Sequence, residues 1–324
     1  MKLKPFIYGI ATFLPGVKNY LQQRTGGTDS ARYCYSVWLR HLVKAKMNGL
    51  DPYPKIVAEL GPGDSLGIGL AALLSGCEKY CAFDVVEYGN VERNLQIFDA
   101  LVSLFRNKSP IPGDDEFPQV KPYLDKYDFP ADILDEHRLQ FALKESRIEK
   151  IRDAIKHSIL TNSLVQYKVP WHDANILEEG SVDMIYSQAV LEHVDDLQNT
   201  YKSMQLWLKS TGYISHQIDF RSHGTASEWN GHWMYSDFAW KLIRGKRSYL
   251  LNREPYSTHL NILEEEGFKI LYSKKIKSES AFTIADLATR FKSISEDDLT
   301  TSGAFIQAIK ITGCASLRCN QQDC

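Results

Sequence analysis

No stretch of the chain stays apolar over membrane-spanning length, so no transmembrane helix is expected. Nor does one sign of charge dominate: 38 Lys and Arg stand against 40 Asp and Glu in 324 residues. Proteins that hold nucleic acid lean on surplus cations to meet phosphates, so no nucleic-acid partner is expected. Cysteine is sparse, six in all. Cys34, Cys77 and Cys81 read as small apolar residues of a reducing compartment, which points to the cytoplasm. Cys314, Cys319 and Cys324 form an even C-x4-C-x4-C run without neighbouring histidines, which fits no zinc spacing, so 314–324 reads as a disordered tail.

The first fifty residues depart from this balance. Lys2, Lys4, Lys18, Arg24, Arg32, Arg40, Lys44 and Lys46 face Asp29 alone, eight minus one, or +7. Lys2 and Lys4 precede a mostly apolar 5–17, but Pro15-Gly16 interrupts it and no small-residue cleavage site follows, which argues against a signal peptide. Residues 1–50 are read as an N-terminal helical arm or lid that packs on the core. The sharper alternative is a basic amphipathic arm making peripheral contact with an anionic membrane, or holding an anionic substrate. Within it, Tyr33, Val37, Leu39, Leu42 and Val43 recur near helical spacing and predict a helix over 28–45.

The chain is organised around residues 55–86, which read as strand, glycine turn, helix and strand. Ile56, Val57, Ala58 and Leu60 form the short apolar run of a buried parallel strand, and Gly61, Pro62, Gly63 and Asp64 break it. A helix follows, then a second strand over 81–86 with Asp84 near its end. Glycines let a backbone come close to a ligand, a helix N-terminus offers unpaired N–H groups, and an acid ending the next strand can take both hydroxyls of a ribose. Gly61, Gly63 and Gly67 are spaced G-x-G-x-x-x-G, with Glu59 two residues ahead. The tighter G-x-G-x-x-G of dinucleotide sites is missing, which counts against a nicotinamide oxidoreductase.

This E-x-G-x-G turn resembles that of the class I S-adenosylmethionine-dependent methyltransferases. Residues 164–193 resemble the family's third and fourth strands, through Asp173-Ala174, Gly180-Ser181-Val182-Asp183 and Val190-Leu191-Glu192-His193. The resemblance implies an α/β fold with a Rossmann-like seven-stranded methyltransferase sheet and S-adenosyl-L-methionine as cofactor. Glu59, Gly61, Pro62 and Gly63 would pass under its methionine part, and Asp84, with Val85 beside it, would hold the ribose. Asp173 would accept from the adenine amino group, the Ala174 backbone would take a ring nitrogen, and Ser187 would open the segment beside the sulfonium. The methyltransferase domain would run over 51–313 with a helical insertion at about 90–162. That insertion is read as a cap over the substrate pocket, with a surface elaboration or a homodimer contact as alternatives. A strand over 304–311 would complete the sheet as its antiparallel edge.

After a fifth strand at 213–218, His216, Asp219, Arg221, His223, Trp229, His232, Trp233 and Tyr235 fall within twenty residues. This loop is expected to overhang the methyl group. Methyl transfer from a sulfonium is an in-line displacement, and a hydroxyl acceptor gains from a general base near neutral pKa. His232 is the first candidate base, then His223, His216 and His193, with a hydrogen-bonded core histidine as the rival reading of His216. Asp219, Trp233, Tyr235 and Arg253 are candidate substrate contacts, Arg253 alternatively a surface salt bridge. In ubiquinone-type O-methyltransferases a Glu-x-x-Glu-His run binds a divalent metal, but Ala189 occupies the first glutamate position here, so no metal is expected. The function expected is O-methylation of a small molecule or glycan with a histidine base, as the later chain resembles bacterial methyltransferases of sugars, lipids and secondary metabolites. The alternatives are a non-catalytic cofactor-binding scaffold, or N- or C-methylation. A nucleic-acid base methyltransferase would carry Asp/Asn-Pro-Pro-aromatic where Ser187-Gln188-Ala189-Val190 stands.

Overall fold

The computed structural model describes residues 3–14, 27–85, 90–158, 163–171, 174–247 and 249–311. Seven strands form one sheet: β1 Ile56–Leu60, β2 Lys79–Phe83, β3 Val165–Lys168, β4 Val182–Gln188, β5 Leu208–Asp219, β6 Phe268–Lys277 and β7 Thr301–Lys310. Their order is β3-β2-β1-β4-β5-β7-β6. The five strands β3 to β5 run parallel, and β7 alone is antiparallel to its neighbours β5 and β6. This is the Rossmann-like methyltransferase sheet expected. One detail differs: β7 inserts between β5 and β6, so β6 is the edge strand. The second strand also stops at Phe83, which leaves Asp84 just past its end.

Helices cover both faces, as a mostly parallel sheet requires. The first helix, α1 Lys4–Ala11, packs through Phe6 on a separate cluster of Tyr235, Trp240 and Ile243, whereas on one face of the sheet α2 Ala31–Met47, α3 Gly67–Leu74, α4 Val91–Arg106, α5 Glu136–Ala142 and α6 Glu145–Lys156 share one apolar core with β1 and β2. On the other, α7 Leu197–Trp207 and α9 Tyr256–Glu265 bury Tyr201, Met204, Trp207 and Leu263 against β1, β4 and β5. Between α7 and α9 in sequence, α8 Asp237–Arg244 carries α1 alongside it. The closing helix α10 Glu296–Leu299 leads into β7.

Ser30 starts α2 by accepting from the Tyr33 N–H at 3.4 Å. Its face is fully buried from Cys34 to Leu39, which explains why the aromatic residues there pack rather than bind. Trp38 Nε1 donates to Ser75 Oγ (2.9 Å) and the Tyr35 hydroxyl to the Ser109 carbonyl (2.7 Å).

Within the expected insertion, α4 is the ordinary crossover between β2 and β3, and the added chain begins after it. That added chain folds onto α2. Arg40, wholly buried, donates to the carbonyls of Pro112, Val120 and Pro122 at 2.9–3.2 Å and to Asp114 at 3.2 Å, with its guanidinium 4.9 Å from the Tyr127 ring. No described residue of the insertion lines the cavity at the strand ends, so the cap expected from the sequence is a buttress behind α2.

Arg40→Met should therefore cost about 2–4 kcal/mol, because three buried carbonyls lose a charged donor. Urea unfolding reads the loss, and hydrogen exchange should rise first in residues 111–123. An unchanged midpoint would show that the apolar contacts alone hold the insertion.

Candidate active site

Sheet register brings the site together. Leu60 pairs with Phe83 on one side and with Ser187 on the other, so Gly61, Asp84 and Gln188 emerge side by side from the same edge. β1 is the strand from which the chain runs outward in both directions, the topological switch where open α/β sheets bind ligands. A cavity of about 1280 Å³ opens there. Ligand pockets commonly span about 300–1,000 Å³, so this one has room for a cofactor and an acceptor together.

Its floor is the glycine turn. Gly61 and Gly63 have φ of +63° and +73°, and the Gly61 N–H donates to the Phe83 carbonyl at 2.8 Å. A Cβ on Gly61 would stand 2.6 Å from Val190, itself in the cavity wall, so the turn is thin and pressed on the loop after β4. Pro62, Asp84, Val85, Trp171 and Ala174 continue the wall, with Ala174 fixed by the Trp207 indole N–H at 2.5 Å. These are the surfaces a nucleoside would need. Asp173 lies outside the described residues.

Two residues that the sequence assigns to the cofactor are buried in the sheet and do not line the cavity. Glu59 is buried between strands, where the hydroxyls of Tyr80 and Tyr186 both donate to its Oε2, the latter at 3.0 Å. Burial pushes its carboxyl up to about 8. Ser187 is equally enclosed and meets His216 Nδ1 at 2.8 Å. Gln188, Ala189 and Val190 line the cavity in its place. Ala189 sits at φ +53°, an uncommon conformation for alanine, which turns the chain back over the glycines.

The four candidate bases divide cleanly. His216 is the core histidine of the rival reading, buried against Tyr201, and desolvation lowers it to about 3. His232 is also buried, outside the cavity wall, and burial with the Arg253 charge nearby lowers it to about 3. His193 and His223 do line the cavity, their rings edge to face at 5.1 Å. His193 is lowered to about 4 by burial. His223 Nε2 lies 3.4 Å from Asp219 Oδ2, and the Arg221 guanidinium grips the same carboxylate at 2.7 Å. The contacts with His223 and Arg221 hold the Asp219 carboxyl well below the usual carboxylate range despite its burial.

Glu192 stands beside this pair. It is buried with neither oxygen in hydrogen-bond geometry, and desolvation raises it well above the ordinary value. Ligand atoms of Glu192, His193 and His223 lie within 4.8 Å of one another, close enough to share a cation, although no metal is expected from the sequence.

The other nominated substrate contacts form a lobe behind the wall. Trp233 is fully buried and donates to the Arg253 carbonyl at 2.9 Å. Arg253 is 3% exposed, pairs with Asp237 at 2.7 Å, donates to the Tyr235 carbonyl at 2.8 Å and lies over Trp240 and Phe291. It is thus neither a substrate contact nor a surface salt bridge. The Tyr235 hydroxyl donates to the carbonyl of Thr225, a wall residue. Lys4, Tyr8, Tyr33, Asn199, Arg247 and Tyr249 also line the cavity. Of these, Tyr33 carried a signal in sequence as an aromatic on the N-terminal helix, and Lys4 as part of the basic arm.

A family model described as a methyltransferase domain matches residues 143–215. Among curated proteins none matches the chain. Solved structures resemble it at low similarity. An S-adenosylmethionine-dependent methyltransferase from Mesorhizobium loti is 14% identical, over 80% of this chain and 91% of that one, at a TM-score of 0.39. S-adenosylmethionine-dependent methyltransferases of Methanosarcina mazei give 13%, 83%, 97% and 0.43. Phosphoethanolamine N-methyltransferase 2 of Haemonchus contortus, in complex with S-adenosyl-L-methionine, gives 14%, 85% and 0.41, the match spanning 53% of its length.

The buried groups set opposing pH slopes. His41 and His193 are lowered to about 4, and His216, His232 and His259 to about 3, so below their unfolded value of 6.5 the unfolded chain binds more protons and stability falls with pH. Glu59 and Glu192 are raised, so above their unfolded value of 4.5 the folded state holds the extra protons and stability falls as pH rises toward 8. Five groups oppose two in the acid window, so stability should peak at about pH 6–7 and drop steeply below about pH 6. Denaturant midpoints measured across this range check it, and a flat acid limb would show that these histidines are not held neutral.

Proposed function

For this chain, a class I S-adenosylmethionine-dependent methyltransferase, we propose O-methylation of a small molecule or glycan hydroxyl with His223 as general base. The observation that carries the reading is the Asp219–His223 pair in the wall of the cavity that also holds the glycine turn and Asp84. S-adenosylmethionine, when bound, supplies an electrophilic methyl on its sulfonium. Gly61 and Gly63 would let the backbone approach its amino-acid part, Asp84 would accept from the ribose hydroxyls, and the Ala174 backbone would meet the adenine. With Nε2 facing the Asp219 carboxylate at 3.4 Å, the His223 Nδ1 would take the proton of the acceptor hydroxyl. Arg221 keeps Asp219 ionised and in place. His193 closes the wall beside them.

A second reading comes from the unpartnered Glu192 carboxylate. A divalent cation held by Glu192, His193 and His223 would acidify a bound hydroxyl, replacing the base.

Calorimetric titration should show micromolar binding of S-adenosylmethionine and S-adenosylhomocysteine. Asp84→Ala should weaken it about tenfold or more, the scale of a lost charge-assisted hydrogen bond. His223→Ala should leave that affinity intact while lowering kcat by about 10²–10⁴ in methyl release from a panel of hydroxyl acceptors, and Asp219→Asn should fall in between. Full turnover in His223→Ala would remove the base assignment. Chelator treatment distinguishes the readings: activity lost with chelator and restored by a divalent cation favours the Glu192 site.

A further inference from the structure

The N-terminal helix is clamped to α8 on one side and left bare on the other. Its contact edge is a backbone crossing: a Cβ on Gly9 would stand 1.9 Å from the Leu242 carbonyl oxygen, and one on Gly245 2.1 Å from that of Gly9. Thr12 Oγ1 accepts from the Lys246 N–H at 2.8 Å, and Phe6 packs edge-on against Tyr235 at 5.8 Å. So fixed, α1 cannot roll its remaining face inward. That face shows Leu3, Ile7, Ile10, Phe13 and Leu14, each more than half exposed, and α8 alongside adds Phe238 at 73%. Single exposed apolar residues need no account, but six on one helix pair do.

The unpaired charge on the two helices has one sign. Residues 1–14 contain no acid. Lys4, Lys241 and Lys246 meet no carboxylate within salt-bridge distance among the described residues, and Lys246 Nζ lies 5.5 Å from the Phe13 ring. The nearby acid Asp237 is neutralised by Arg253. Apolar side chains flanked by lysines suit the headgroup boundary of an anionic bilayer, where the ring or aliphatic part enters and the ammonium stays at the phosphates. A protein partner would more often find a polar rim of both signs.

The face also borders the site. Lys4, Pro5 and Tyr8 of α1 and Arg247, just beyond α8, line the cavity together with His193 and His223. We propose that the α1–α8 face docks on an anionic membrane surface and opens the acceptor cavity toward it, so that the acceptor is a hydroxyl compound carried in the bilayer. The second half of this rests on the methyltransferase reading of the cavity; the docking does not.

Full-length protein should co-sediment with phosphatidylcholine vesicles containing phosphatidylglycerol, much less with phosphatidylcholine alone, and release as salt is raised. Ile7→Glu with Ile10→Glu, both at exposed positions, should reduce partitioning about tenfold or more while S-adenosylhomocysteine affinity stays unchanged. Should that pair fail to fold, Phe238→Glu and Lys246→Glu, outside the cavity wall, test the same face. Absence of vesicle binding, binding indifferent to these changes, or a stable dimer in solution that the Glu variants dissociate would overturn the docking. Vesicle binding with no affinity for either sulfur ligand would leave the docking standing and sink the reading of the cavity.

Discussion

A single buried carboxyl organises the strand ends on which the site depends. Glu59 sits on the middle strand of the switch, Tyr80 on one neighbour and Tyr186 on the other, and both phenols converge on the same oxygen. Burial holds the carboxyl near a pKa of about 8, so around neutrality it is largely protonated and costs little to enclose. The link ties β2, β1 and β4 together just below the edge, with Glu59 level with Tyr186 and Tyr80 reaching up from the row of Val57. Gly61, Asp84 and Gln188 consequently leave the sheet at one level, and the glycine turn can be pressed against Val190 without slack.

The walls above that floor come from chain segments remote in sequence. On one side, His41 of α2 meets Ser215 at 2.7 Å and Gln188 at 3.3 Å, so the N-terminal helix reaches through to the loop after β4. On the other, Arg253 gathers the segment after β5 into a small lobe. Its backbone at φ +71° and its guanidinium between Trp240 and Phe291 leave little freedom for the carbonyls of His232 and Tyr235 that it binds. Tyr235 in turn holds Thr225 and packs on Phe6, so the lobe supports both the cavity wall and α1.

These long-range supports explain what could be read in advance. Strand order, the glycine turn and Asp84 at a strand end are local patterns, and parallel βαβ topology leaves few places for them to go. His193 and His223 are thirty residues apart, yet β4 and β5 are neighbours, so their loops meet at one edge. Side-chain direction was harder. His216 alternates with Ser215 and Gln217 on a strand buried on both faces, and periodicity offers no choice between them. The cluster of His232, Trp233 and Arg253 looked catalytic because polar and aromatic residues crowd there. It is the core of a lobe whose other half, Asp237 to Phe291, lies farther along the chain, and nothing local marks that pairing. The insertion misled for a similar reason, since its partner Arg40 sits about seventy residues upstream.

Desolvation, more than proximity, sorts the histidines. A base has to carry a proton for the duration of a displacement, and the cost of that charge depends on what surrounds it. His216 and His232 are enclosed by apolar rings with an unpartnered nitrogen each, so charging either would strand a cation in the core. His193 borders the cavity but faces a second imidazole, which adds repulsion to its burial. His223 differs on both counts: its side chain is 30% exposed, and an ionised carboxylate lies at 3.4 Å to balance the imidazolium. Asp219 can serve that role because its contacts with His223 and Arg221 hold its carboxyl low despite burial.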